Sequence, residues 1–77
     1  MNKDRRKQLE SIVERIEEIK ALVEALRDEE QGAFDNLPEG LQQSDRGQGM
    51  EAAVEQLEAA ISALEETSEA IGVACST

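Results

Sequence analysis

Two runs of apolar residues, each spaced as in a coiled coil, lie on either side of the only proline of this chain. The first run places its residues alternately three and four apart, at Leu9, Ile12, Ile16, Ile19, Val23 and Leu26. The second run keeps the same alternation, with Ser68 at one position, at Met50, Val54, Leu57, Ile61, Leu64 and Ile71. Such heptad spacing is typical of a helix that packs along its length against another helix. Each run is therefore predicted to form a long α-helix.

The stretch between the two runs contains the signals that end one helix and start the next. Leu37 precedes Pro38, and a residue before proline is disfavoured in the helical conformation. Pro38 and Gly40 favour a tight turn. Ser44 suits the N-cap of the second helix, and Gly72 suits its C-terminal end. The predicted boundaries are a helix over 4–35, a joint over 36–43, a helix over 44–72 and a C-terminal tail over 73–77.

The charges of the two predicted helices favour an antiparallel arrangement. Four basic residues open the first helix, where they oppose the helix dipole: Lys3, Arg5, Arg6 and Lys7. The second helix has no basic residue after Arg46, and near its end it carries Glu65, Glu66 and Glu69. An antiparallel hairpin is expected to bring the two groups together, and their pairing would fix the orientation of the helices.

A chain of 77 residues with a single cysteine, Cys75, has few means of stabilising one small domain. It cannot form an internal disulfide, and it lacks the histidine and cysteine groups of a structural zinc site. Val13 and Leu22 widen the apolar stripe of the first helix beyond the surface that one neighbour covers. The predicted fold is therefore an all-α, two-helix antiparallel coiled-coil hairpin that forms a four-helix bundle as a homodimer or homotetramer. The twelve apolar residues of the two runs are expected to form its oligomer core.

The charge and hydropathy of the chain exclude several classes of partner. Eighteen acidic and eight basic residues give a net charge of −10, which disfavours binding to a nucleic-acid polymer or to an anionic membrane surface. No apolar run approaches the ~20 residues that span a bilayer, and the N-terminal segment lacks the apolar core of a signal peptide. A lone free thiol fits a reducing compartment, so the chain is expected to be cytoplasmic.

The residue types that catalysis requires are largely missing. The chain has no histidine to activate a serine or a cysteine. Glu14, Glu17 and Glu18 have the E-x-x-E-E spacing found in the magnesium site of all-α nucleotide pyrophosphohydrolases, but the second motif of that family, E-x-x-D, does not follow. Glutamates at this spacing are more typical of a solvated helix face. We therefore predict no catalytic residue, no metal site and no cofactor.

The start of the second helix is the one place where the sequence predicts a ligand. A helix N-terminus offers free backbone N–H groups and the positive end of the helix dipole, which favour an anion. Arg46 adds a guanidinium that can hold a phosphate through two hydrogen bonds. The predicted ligand-binding residues are Asn36, Ser44, Arg46, Gly47, Gln48 and Gly49. In the alternative interpretation this is an ordinary capped helix start, and Arg46 pairs with Asp28, Asp45 or Glu51.

The run from Asp28 to Ala53, D-E-E-Q-G-A-F-D-N-L-P-E-G-L-Q-Q-S-D-R-G-Q-G-M-E-A-A, resembles one found in short acidic two-helix proteins of bacteriophages and prophages. Small helical phage proteins include anti-defence sponges, oligomers that sequester the nucleotide signals of bacterial immunity. The resemblance implies a phage origin, and by analogy of size and origin with the sponges we predict a non-enzymatic protein that sequesters a phosphate-bearing small ligand, a nucleotide immune signal, in the host cytoplasm. The alternative function is that of a structural or adaptor coiled coil, which acts through protein–protein contacts.

Overall fold

The structure, a computed structural model, describes residues 1–77 and contains helices alone: α1 (Lys3–Asp35), α2 (Glu39–Gln42) and α3 (Asp45–Cys75). The two long helices, of 33 and 31 residues, lie antiparallel and pack against each other as a hairpin. The molecule is extended, 58 Å long and 15 by 12 Å across. The all-α class is thus confirmed, whereas assembly into a four-helix bundle stays a prediction.

The helix ends follow from local hydrogen bonds. The Asn2 side chain caps α1 by accepting from the backbone N–H of Arg5 at 2.8 Å, a cap that we did not predict although asparagine is a favoured N-cap residue. The end of α3 differs from the prediction, because the helix continues through Gly72 to Cys75. Gly72 does not take a positive φ, and its carbonyl accepts from the backbone N–H of Ser76 at 3.2 Å. The helix therefore ends on Ser76 rather than on a glycine.

The face of α1 that meets α3 is only partly the predicted one. Eight of its less exposed residues follow a heptad and define the seam of α1: Leu9, Val13, Ile16, Lys20, Val23, Arg27, Glu30 and Phe34. Ile12, Ile19 and Leu26 lie outside this seam and are exposed. The prediction that the whole first run faces one core is therefore not met within the hairpin. Lys20 and Arg27 can occupy seam positions because their long stems cover apolar surface while their charged ends reach water.

On α3 the second run of apolar residues does face α1. Val54 and Ile61 are the only buried hydrophobic residues of the molecule, with 6% and 8% of their surface exposed. The other members of this run are partly buried: Met50, Leu57, Leu64 and Ile71. Two buried side chains are a small core for a chain of this length, because short chains depend on burying a large fraction of their apolar surface.

The register of the hairpin separates the two charged groups that the sequence suggested would pair. Lys20, far from the N-terminus, bonds to Glu65 at 3.1 Å and to Glu17 at 3.7 Å. The expected pairing of the N-terminal basic cluster with Glu65, Glu66 and Glu69 is therefore wrong. Those basic residues lie level with the last residues of α3, where the Arg6 Nε donates to the Cys75 carbonyl at 2.9 Å. A cation at this position favourably meets the negative end of the α3 dipole.

Candidate functional site

The joint contains a one-turn helix, α2, that packs against the start of α3. Pro38 precedes α2 with φ of −55°, and its carbonyl accepts from the N–H groups of Leu41 and Gln42 at 2.8 and 3.1 Å. The Gln42 side chain then donates from Nε2 to the Phe34 carbonyl at 3.2 Å. These bonds hold the reversal of the chain within a few residues.

Ser44 connects α2 to α3. It is the N-cap of α3, as predicted, because its Oγ accepts from the Gly47 N–H at 3.3 Å. The same hydroxyl donates to the Leu41 carbonyl, so it bridges the two helices. Both hydrogen-bonding functions of this hydroxyl are thus used inside the joint.

Gly47 is buried where the backbone of α2 crosses the first turn of α3. A Cβ on Gly47 would overlap the Gln42 carbonyl group and would lie 2.7 Å from the Leu41 carbonyl oxygen. Atoms of side chains do not approach a backbone this closely, so residue 47 must be glycine for the joint to close. The same crowding explains why α3 lacks the acidic residue that completes a capping box at this position.

The remaining residues of the predicted ligand site lie on the surface of the joint. Asn36 is the C-cap of α1, where its N–H bonds to the Gly32 carbonyl at 3.0 Å. Gln48 donates from Nε2 to the Gln43 carbonyl at 3.3 Å, and a Cβ on Gly49 would point into open space. The structure thus explains why two of the six predicted residues occur where they do without invoking a ligand. Ser44 caps α3, and Gly47 leaves room for the backbone of α2.

Arg46 is exposed and makes no ion pair, so the alternative partners Asp28, Asp45 and Glu51 are not used. Asp28 is bonded instead to Arg27, 3.0 Å from its Nε. The backbone N–H groups of Asp45 and Arg46 also donate to no acceptor in the chain. The positive group and the free amides that the sequence predicted are therefore present side by side at the start of α3.

A groove of about 260 Å³ opens near the joint, on another side from the predicted ligand site. It is lined by Gln31, Phe34, Glu51, Val54, Glu55 and Glu58. Its three carboxylates disfavour an anion, and none of the six predicted residues lines it. No group of three or more acidic or cysteine side chains has the geometry to hold a metal ion. No helix combines the length and hydropathy needed to cross a bilayer.

The residues that line the groove belong to a strongly acidic surface, which lies along one side of the contact between α1 and α3. We call the two sides of this contact the flanks of the seam. Gln31 of α1 and Glu58 of α3 line the groove together, so the heptad positions that they occupy lie on the same side of the hairpin. Residues at the same heptad positions, one to three heptads from Gln31 and one heptad to either side of Glu58, complete an acidic face: Glu10, Glu17 and Glu24 on α1, with Glu51, Glu58 and Glu65 on α3. The bond to Glu65, aided by the charge of Glu17, raises the pKa of Lys20 above its ordinary value of 10.5 despite opposing desolvation.

The opposite flank of the seam is apolar, and it was not recognised as a separate surface in the sequence. On α1 it carries a large row, Ile12, Ile19, Leu22 and Leu26, whose members are 42–65% exposed. On α3 it carries a small row, Ala53, Ala60, Ala63, Thr67 and Ala70. We call the two rows together the apolar face. A heptad count that distinguished positions on either side of the seam would have found it, because both rows repeat every seven residues.

Carboxylates are nearly absent from this apolar face. Of the residues that occupy its heptad positions on either long helix, Glu29 is the only acidic one, although the chain has eighteen. Three arginines, Arg5, Arg15 and Arg46, share these positions. The hairpin thus separates an acidic surface from an apolar one with a slightly basic margin.

No family model, no curated protein and no solved structure matches this chain.

Proposed function

We propose that this protein acts through protein–protein contacts as a homo-oligomeric helical hairpin, in which two copies join by their apolar faces into a four-helix bundle. The observation that carries the proposal is the exposure of the large row. Leu22 and Ile19 are 65% and 51% exposed, while the hairpin buries only Val54 and Ile61. A contiguous exposed apolar surface of this kind marks an interaction site in a folded protein.

The two rows of the apolar face have similar lengths. The large row extends from Ile12 to Leu26 and the small row from Ala53 to Ala70, about 21 Å and about 26 Å at ~1.5 Å per residue. A second copy can therefore cover the exposed side chains of the large row with the small row of its own apolar face.

The charge distribution favours the same surface for contact between copies. Two chains of net charge −10 repel each other wherever their acidic faces approach. Contact through the apolar faces turns the acidic faces outward, on opposite sides of the bundle, and puts few carboxylates at the interface. The outward acidic faces then remain in water, where a charged surface opposes further, non-specific association.

Sedimentation equilibrium of the reduced protein tests the proposal. We expect a dimer, or a tetramer of stacked dimers, for the unmodified chain and a monomer for Ile19→Glu, because burial of an unpaired carboxylate is strongly unfavourable. Ala25→Glu is the matched control: it adds the same charge to an exposed position of α1 outside the apolar face, and it should leave the mass unchanged. A monomeric, folded unmodified chain would overturn the proposal.

The start of α3 supports a second candidate function, the binding of a phosphate-bearing ligand. The supporting observation is the combination of an unpaired Arg46 with the free N–H groups of Asp45 and Arg46. In this candidate Asn36, Gln48 and Gly49 surround the ligand, which we propose to be a nucleotide signal of bacterial immunity by analogy with the phage anti-defence sponges. The bundle would then present one such site per copy.

Thermal unfolding in the presence of cyclic nucleotides and ADP-ribose-type nucleotides tests this second candidate. A ligand at 100 times its Kd stabilises the folded protein by about 2.7 kcal/mol, which is several degrees for a chain of this size. The shift should disappear in Arg46→Ala and persist in Arg5→Ala, a control that removes the same charge at the far end of the hairpin. If no nucleotide raises Tm, or if Arg46→Ala keeps the full shift, the candidate is wrong.

A further inference from the structure

We infer that the two copies associate with their joints at the same end of the bundle, α1 of each copy packing on α3 of the other. This inference rests on the proposed self-association and adds the arrangement of the partner copy. Two hairpins can join face to face about a two-fold axis in only two ways. An axis along the helices sets α1 on the partner's α3, with both joints together. An axis across the helices sets α1 on α1 and α3 on α3, with the joints at opposite ends.

The two rows of the apolar face differ in size, and this difference selects between the two arrangements. The row on α1 consists of isoleucine and leucine, whereas the row on α3 consists of four alanines and Thr67. Setting α1 on the partner's α3 puts large side chains against small ones at every contact. The other arrangement packs the large row on the large row and the small row on the small row. The α1–α1 pair and the α3–α3 pair would then need two different interaxial distances within one bundle.

The register of the hairpin makes the match specific. The bond between Lys20 and Glu65 places residues whose numbers sum to about 85 at the same level. An axis along the helices keeps every residue at its level in both copies. Leu22 then lies opposite the partner's Ala63, and Ile19 lies beside the partner's Thr67. Large side chains thus enter spaces beside small ones, which is how helices in bundles interlock.

The alternative occupants of the apolar face fit it less well. A basic partner would be drawn to the acidic face instead, because the apolar face itself carries arginines at its margin and one glutamate, Glu29. A second copy supplies small residues beside Ile19, Leu22 and Leu26, and its own acidic face stays turned away. Charge and shape therefore point to the same occupant.

The arrangement of the two copies can be measured on the unsubstituted chain, because its single cysteine, Cys75, can carry a spin label. It lies at the last residue of α3, so a nitroxide spin label on it marks the end of the hairpin away from the joint. Pulsed EPR on the labelled protein should give a label–label distance below about 25 Å if the joints are at the same end. At opposite ends the labels would be separated by about the length of α3, roughly 45 Å at ~1.5 Å per residue. Gln43→Cys with Cys75→Ser should give a short distance at the joint end as well.

The outcomes separate this inference from the proposal on which it rests. A monomer in sedimentation, with no label–label distance, contradicts both. A dimer with long distances at Cys75 and at residue 43 contradicts only the same-end arrangement. Short distances at both positions support it, because no two-fold arrangement with joints at opposite ends brings either pair together.

Exchange of a large and a small residue gives an independent test. Ala63→Leu should weaken the dimer about tenfold, since overfilling a packed contact is unfavourable. Adding Leu22→Ala should recover most of that loss, because the two residues lie opposite each other across the interface. Ile12→Ala is the matched control, as Ile12 lies well away from residue 63 along the bundle, and it should not rescue Ala63→Leu. If Leu22→Ala and Ile12→Ala restored the dimer dissociation constant of Ala63→Leu equally, the proposed contact between Leu22 and the partner's Ala63 would be wrong.

Discussion

The joint and the arms of this hairpin are stabilised in different ways. Around the joint, Gln42, Ser44 and Gly47 are held by backbone contacts and hydrogen bonds among residues close in sequence. The arms, α1 and α3, meet along a seam with two buried hydrophobic residues, and much of the apolar surface of α1 stays exposed. The contacts of the joint are therefore complete within one chain, whereas the arms leave an apolar surface exposed, which the proposed second copy would cover.

The largest expected effect comes from breaking the contact between copies. In Leu26→Glu we expect a dimer dissociation constant at least 100-fold higher, since a buried unpaired carboxylate costs several kcal/mol. Tm of the unmodified protein should rise with protein concentration, because dissociation accompanies unfolding of an associated protein. The variant should lose this dependence. A Tm that is independent of concentration in both proteins would show that the arms are stable without a partner.

A substitution at the joint should act within the single chain. Gly47→Ala pushes a methyl group into the Gln42 carbonyl, and overpacking of this kind costs about 1–3 kcal/mol. Gly32→Ala is the matched control, because it adds the same group in open space on α1 and should stabilise the helix by about 0.5–1 kcal/mol. Chemical denaturation at one protein concentration measures both. Similar stabilities of the two variants would mean that α2 moves aside at little cost.

The cap at the start of α3 should have a smaller effect. Ser44→Ala removes the acceptor for the Gly47 N–H and the donor to the Leu41 carbonyl, and loss of such a cap costs about 1 kcal/mol. Ser44→Asp keeps an acceptor for the N–H but loses the donor. We expect its stability to lie between those of Ser44→Ala and the unmodified chain, and a stability below that of Ser44→Ala would argue against the cap.

In the arms, one polar group of the seam works against stability. The Ser68 hydroxyl is shielded from water and has no hydrogen-bond partner. Ser68→Ala should therefore stabilise the protein by about 0.5–1 kcal/mol, through the removed polar group and the higher helix propensity of alanine. Ser62→Ala, at an exposed position of α3, should change stability only by the propensity difference. Equal gains in the two variants would show that the Ser68 hydroxyl is satisfied by water.

The smallest effect concerns the pairing of Lys20 with Glu65 in the arms. The pKa of Lys20 is raised in the folded protein, so its stabilising contribution is fully present below the ordinary value of 10.5 and is lost as pH rises through the raised value. The stability difference between the unmodified chain and Lys20→Gln should therefore shrink above pH 10.5. Comparing the two proteins cancels the effects of pH on the rest of the chain. If the stability difference between the two proteins stayed constant up to pH 12, the raised pKa of Lys20 would be contradicted.

The contrast between joint and arms also explains which features could be predicted from the sequence. The two helices and the Ser44 cap depend on residues close together in the chain, and local rules describe them well. The pairing of the N-terminal basic residues with Glu65 was predicted wrongly, because it required the register between helices that lie far apart in sequence. The need for glycine at position 47 depends on tertiary structure too, since it arises from the close approach of the α2 backbone.

The sequence by itself determined that the chain is helical, that it reverses near Pro38, and that each long helix carries an apolar stripe, because helix periodicity and turn chemistry are local properties. Only the tertiary structure decided which part of each stripe faces the other helix. It placed Lys20 in the seam and left Ile12, Ile19 and Leu26 outside it. The physical reason is that adjacent heptad positions are equally apolar, so the choice between them depends on how two helices fit together.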